Sequence, residues 1–414
     1  MLTYQKGYGG FFVLLRFAGT SWPHGVVPGL LAASISLVLS LVKDADTLIS
    51  DKNLFIRNPY PYQLFAYLVG FILVFRTNFG YSRYVEAIDA MSRMGSKWLD
   101  GACMAVAFDA KGDASSPYLQ SSIIDDDSDE IMREITATAL DLKQSSTSNE
   151  KEVQPKGLNH VEFFVQVVHL FSLMHALALM HLRCDTDLGN IDCSPLPKLS
   201  HMDGPPTHSS SKSSLTDFVA KDVWKASHSL KLKVLGGLLE EERRALQIDE
   251  EGHPSSSAAR VAQVESWIMR RLTARQKYEP AGDMGKTAPP ILSRMVQVVS
   301  DGNLAFSQAA KVAETPFPFP YHNIISLFLW MLLFTVPFVI NSKVSSIPAR
   351  ALITFTGVWA YFSLAEVGDN LEDPFLPYDP NDLPLEAIHH SFNVRLLSFG
   401  VVPKSSPTEA PEVL

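Results

Sequence analysis

Three long stretches of this 414-residue chain carry no charge, and they decide what it can fold into. No Asp, Glu, Lys or Arg lies between Arg16 and Lys43, between Arg57 and Arg76, or between Glu314 and Lys343. A fourth apolar run, ALITFTGVWAYFSLA, covers Ala351 to Ala365. Crossing the hydrocarbon core of a bilayer takes about 20 apolar residues in a helix, whose backbone groups satisfy one another where there is no water. The first three runs reach that length. The fourth is shorter and is extended by Pro348 on one side and by Val367 and Gly368 on the other. The reading is four transmembrane helices, with Trp22, Tyr60, Tyr62, Tyr321 and Trp359 placed to anchor at the interfaces.

A fifth apolar stretch, Phe163 to Leu182, holds His169, His175, His181 and Gln166, which are costly in lipid. It is read as a long buried helix of a soluble region, with a membrane span or hairpin as the alternative. The spans then form two pairs. Even parity puts both termini and the region between the pairs on one side of the membrane. The expected organisation is an interfacial N-terminal segment (1–24, with a helix at Gly10–Phe17) followed by two spans (25–75). A helical cytosolic region (76–314) comes next, with insertions at 110–155 and 184–215. Two more spans (315–367), a juxtamembrane segment (368–400) and a disordered tail (401–414) complete the chain. Helices are expected at 130–142, 216–247, 258–277 and 290–312, from periodicity and from breakers such as GHPSSS.

Composition narrows the function. Charged residues are only 19% and the net charge is -9, which speaks against nucleic-acid binding. Three cysteines without CxxC spacing offer neither a disulfide scaffold nor a zinc ribbon. No HExxH, GxSxG, P-loop or GxGxxG points to an enzyme. The histidines of the apolar helix recur every six residues, about 240° per step, so they cannot share one metal. His389 and His390 are adjacent and point apart. Tyr67, Phe71 and Phe75 recur every four residues on one face of the second span. Most such stripes are lipid-facing or packed. Turned to a pore, the same face is an apolar constriction whose electropositive ring edges tolerate anions better than cations. Arg76 and Arg83 follow the apolar run and read either as snorkelling anchors or as a basic vestibule.

RFAGTSWP, LVGFILVFRTNFGYSRYVEA and LEDPFLPYDPNDLPLEAI together resemble the bestrophin family, and the branch of bacteria, algae and plants in particular. The resemblance implies a homopentameric anion channel in a lipid bilayer. Each subunit would give four membrane helices and a helical cytosolic domain, in an all-α membrane fold. Chloride and other small monovalent anions, with bicarbonate or nitrate also open, would pass a narrow neck. That neck falls on Tyr67, Phe71 and Phe75, with Leu68 competing for the first place. A second constriction, at the cytosolic exit, falls at Ile291, with Met295 as competitor. In animal relatives a calcium clasp follows the last span. Here Asn370, Asp373, Asp379 and Asp382 stand near its place, but the dense acidic run is missing. No cofactor is required on this reading, and calcium, voltage or constitutive opening stay open. So does the choice between a plasma membrane and a thylakoid or other organelle membrane. The rival readings are a non-conducting membrane scaffold and a membrane enzyme built on His169, His175 or His181.

Overall fold

The structure is a computed structural model and describes residues 19–41, 60–109, 160–194, 231–247, 255–278, 284–376 and 381–400. The expected helices at 10–17 and 130–142 and the tail from Val401 lie outside those residues. In chain order the elements are α1 (Val26–Leu41), α2 (Tyr60–Asp109), α3 (His160–Leu182), β1 (Ile191–Ser194), β2 (Leu232–Leu235) and α4 (Glu240–Gln247). They continue with α5 (Ser257–Tyr278), α6 (Pro289–Glu314), α7 (Phe319–Lys343), α8 (Ile347–Asn370) and α9 (Leu385–Ser398). They fall into two compact units, Met1–Asp89 with Lys311–Leu383 and Ala90–Ala310 with Pro384–Leu414.

The first unit holds α1, the first part of α2, α7 and α8. Its α1 is described over 16 residues, about 24 Å of helix. Packing follows from side-chain size. The inner face of α1 is Gly29, Ala32 and Ser36, and α1 lies against α8 and α7. A Cβ added at Gly25 would fall 2.5 Å from the Trp359 carbonyl oxygen, and one at Gly29 3.1 Å from the Phe355 ring. Lipid tails supply no hydrophobic drive between helices, so small residues that let backbones approach do that work. Asn341 adds a polar lock on α7: its amide donates to the Ser36 carbonyl at 3.1 Å and its oxygen accepts from Ser36 and Ser40. The shared core is Ala32, Val69 and Leu73 with Ile325, Leu329, Leu332, Leu333, Val358 and Ala365.

The second unit is built on α3. By length and composition α3 could cross a membrane, as could α2, α7 and α8. Burial separates them: 94% of its apolar window lies inside the protein, against 22% for α2, 33% for α7 and 22% for α8. It is the buried core helix expected, covered by α5, α9 and β2. Phe163, Phe164, Phe171, Leu173, Met174, Leu179 and Met180 are fully buried on it.

Two expectations fail here. The predicted helix over 216–247 is helical, among its described residues, only at 240–247. Residues 232–235 form β2, which pairs in parallel with β1 inside the expected 184–215 loop. The reason is legible: LKLKVL alternates with period two, and Gly236 and Gly237 (φ 84° and 74°) break the run before a helix can start. The segment 368–400, read only as juxtamembrane, carries α9 at 385–398. Elsewhere α5 and α6 match the expected 258–277 and 290–312 to within two residues.

Candidate pore-lining site

Helical phase divides α2 into two faces. Val69, Leu73 and Arg76 are only 2%, 1% and 3% exposed, packed into the first unit. Tyr67, Phe71 and Phe75 lie on the other face and are 76%, 62% and 41% exposed. The Phe71 and Phe75 rings meet edge to face, with centroids 4.6 Å apart at 70°. Val74 and Leu68 flank them and are also exposed, so both registers of the first neck position, Tyr67 and Leu68, remain on the open face. Ile291, in the first turn of α6, is 47% exposed, while its competitor Met295 is 2% exposed. Met295 is thereby corrected from a lining candidate to a core residue.

Arg76 and Arg83, readable as snorkelling anchors or as a basic vestibule, are both tied to acceptors within the first unit. The Arg76 guanidinium pairs with the Asp369 carboxylate, reaches Glu372 at 3.4 Å and lies 5.8 Å over the Phe317 ring. Its Nη2 also meets His322 Nδ1 at 2.8 Å, where the arginine can only donate and the imidazole nitrogen must accept. Arg83 donates to the carbonyls of Val312, Thr315 and Glu372 at 3.0, 2.8 and 3.1 Å. Two of those carbonyls are at the end of α6, where helix acceptors lack partners of their own. Both arginines tie chain segments together through acceptors that no spacing rule connects to them. Burial pushes the Glu372 carboxyl up, and the neighbouring Arg76 charge opposes it.

The acidic segment is used in the same way. The Asn370 amide donates to Ser21 Oγ at 3.4 Å, Asp373 stands 4.0 Å from Arg83, and Asp382 is buried. Asp379 lies outside the described residues. Asp369 and Glu372 already face a guanidinium. Among the described residues no group of three or more His, Cys, Asp and Glu side chains is placed to hold a metal.

The histidines of α3 separate as their spacing requires, each to a different partner. His169 places Nδ1 2.7 Å from the Leu235 carbonyl and Nε2 2.9 Å from the Glu242 carboxylate. Burial works against its charge, but Glu242 and the Leu235 carbonyl outweigh that and raise its pKa. His175 meets His389 through the two Nδ1 atoms at 2.9 Å and stacks on Phe392 at 4.0 Å. Nε2 of His389 donates to the Lys233 carbonyl at 3.0 Å, so its Nδ1 accepts from His175 and both rings are neutral. Burial, then the neighbouring His389, hold His175 well below the ordinary range, and burial brings His389 down to about 4. His181 bonds Ser257 Oγ at 2.7 Å. A carboxylate beside a histidine does exist here, supplied by α4 and invisible to spacing, but both partners are enclosed in the core.

Comparison with known proteins accords with this geometry. Residues 201–398 match the family model of bacterial and fungal bestrophin proteins. A crystal structure of a bacterial bestrophin homolog from Klebsiella pneumoniae, carrying one mutation, aligns with TM-score 0.54 at 14% identity, covering 92% of this chain and 99% of that one. Another structure of the Klebsiella pneumoniae homolog aligns with TM-score 0.53 at 14% identity, covering 91% and 97%. A crystal structure described only as a membrane protein gives 0.54 at 14% identity, again covering 91% and 97%. No protein with a curated description matches the sequence.

Proposed function

We propose, taking as premise that this chain belongs to the bestrophin family, that it is one subunit of a homopentameric chloride-conducting channel. The chain is a multi-pass integral membrane protein, and the family supports anion conduction in general. The observation that carries the finer reading is the face of α2 that presents Tyr67, Phe71 and Phe75 away from its own subunit's core. Copies of α2 around an axis would close that face into a neck. Conduction through it is passive. Anions partly dehydrate between ring edges, so nitrate and bromide should pass more readily than strongly hydrated ions. Tyr67 adds a hydroxyl to the neck and makes its first ring more polar. Ile291 is the proposed second constriction. No catalytic step and no resident cofactor is assigned, and opening does not depend on calcium.

A reversal potential tests this. Purified protein in a planar bilayer under a KCl gradient should reverse near the chloride equilibrium potential, with and without calcium. Reversal near the potassium potential would contradict the anion reading. Current that requires calcium would overturn the gating part alone. The neck is tested separately: Phe71→Ala and Phe75→Ala should each raise conductance and weaken discrimination among anions, and unchanged currents in both would remove the neck from α2. Silence from verified pentamers would favour a scaffold.

A further inference from the structure

We infer that Tyr361 is a positioning residue for the neck, fixing the rotation at which α2 presents Tyr67, Phe71 and Phe75; this rests on the neck reading above. Tyr361 lies on α8, packed against the core of the first unit. Its hydroxyl donates to the carbonyl oxygen of Ala66 at 3.1 Å, one residue before Tyr67. The ring also lies beside Gly70, where a Cβ would make ordinary contact at 3.6 Å from both Oη and Cε1 of Tyr361. Its oxygen sits on the turn that carries the first neck side chain.

Polar ties from other helices flank this stretch, Thr335 to the Tyr62 hydroxyl at 3.4 Å before it and Arg76 to Asp369 after it, and between them the remaining contacts behind the neck are apolar. Val69 and Leu73 pack into the shared core, and Phe65 meets Phe328 edge to face at 5.9 Å. Apolar burial has no preferred direction, so it tolerates rotation of α2 about its axis or a slide along it. A hydrogen bond does not, because it weakens steeply as its angle falls below about 120°. Among the described residues, the Tyr361 bond is the one side-chain hydrogen bond from another helix that reaches α2 between Leu64 and Phe75. Since Ala66 and Phe71 ride on the same rigid helix, holding the carbonyl of one holds the ring of the other.

Tyr361→Phe keeps the ring and removes only the oxygen, so the fold should survive. The full chain is purified as wild type, Tyr361→Phe, Phe71→Ala with Phe75→Ala, and the triple variant, and each is recorded in planar bilayers under chloride and nitrate. Tyr361→Phe should shift the open-to-closed ratio or the nitrate-to-chloride permeability ratio about 2- to 10-fold, the scale that one net hydrogen bond supports. In the background lacking both neck rings the same change should do nothing further. A merely structural hydroxyl would lower thermal stability equally in both backgrounds and leave both ratios unmoved. Unchanged ratios in Tyr361→Phe, with altered currents in the neck variants, would overturn this inference and leave the neck standing. Neck variants that conduct like wild type would overturn the neck and this inference with it.

Discussion

Phe71 and Phe171 are the same residue on two apolar helices, and the protein treats them oppositely. Phe171 is fully buried at the centre of α3, while Phe71 is 62% exposed on α2. The contrast extends to the units. In the second unit, large apolar side chains exposed among the described residues are few: Tyr278, Ile291, Val296, Leu304 and Val394. In the first unit they line α1, α2, α7 and α8. Sequence hydrophobicity is similar in the two helices, and their surroundings differ. One unit organises itself around a dry core in the manner of a soluble protein. The other leaves its apolar faces open for lipid, and is held inside by small residues and a few polar locks.

The widest expected gap is therefore between Phe171→Ala and Phe71→Ala. The first opens a cavity in a closed core and should cost about 3–5 kcal/mol of stability. The second changes an open surface of the subunit and should cost within about 0.5 kcal/mol, while changing conduction. Thermal unfolding in detergent, followed through Trp fluorescence, measures both. Equal losses would erase the distinction between the units.

Arg275 comes next. Its guanidinium and the Asp109 carboxylate are both fully buried and form two bonds, of 2.7 and 2.9 Å, with the Phe163 ring 4.9 Å from the guanidinium. Arg275→Leu takes the guanidinium from that carboxylate, leaving His160 as its partner among the described residues, and should cost about 3–5 kcal/mol. Arg275→Leu with Asp109→Leu removes both charges and should recover most of the loss, read by the same unfolding measurement. No recovery would mean that the pair contributes more than it costs to bury.

How much of this was legible follows the same division. The spans, the buried character of α3 and the exposed aromatic stripe of α2 are local properties: charge-free length, histidines in an apolar run, and a spacing of four. They could be read one helix at a time. The partners of Arg76, His169 and His175 could not, because each comes from a distant element: Asp369 from α8, Glu242 from α4, His389 from α9. Asp369 and Glu372 were visible as an acidic segment, but only the folded chain pairs them with an arginine almost three hundred positions earlier. The missed strand is a different failure. The alternation at LKLKVL was present, and the helical expectation over its longer window overrode it.

Another effect is pH-dependent and belongs to the second unit. His175 and His389 have folded pKa values depressed below the unfolded value of about 6.5. Below that pH the unfolded chain binds protons that the folded pair resists. Stability is full above about pH 6.5 and is lost as pH falls toward about 4, where His389 titrates, at no more than about 1.4 kcal/mol per unit for each ring. His169 has the opposite sign. Its pKa is raised, so its contribution is present in acid and is lost as pH rises through that pKa. Melting temperature against pH should show an acid limb that His175→Gln with His389→Gln flattens. An unchanged limb would assign it to carboxylates instead.

The smallest expected effect is at Asn341, and it sharpens the comparison from the membrane side. Asn341 is buried between α1 and α7 and makes three bonds to Ser36 and Ser40. In a soluble core, stranding that many polar groups would be expensive. In a spanning helix a serine hydroxyl can turn back to a carbonyl of its own helix, as Ser40 Oγ already does toward the Ser36 carbonyl at 2.8 Å. Asn341→Leu should therefore cost only about 0.5–1.5 kcal/mol, a fall of a few degrees in melting temperature. A loss above about 3 kcal/mol, comparable to that at Arg275, would mean that the membrane unit is held by its polar contacts rather than by the close approach of α1 to α8 through Gly25 and Gly29. Gly29→Leu, which blocks that approach, would then be the milder of the two variants, where packing control requires it to be the more damaging.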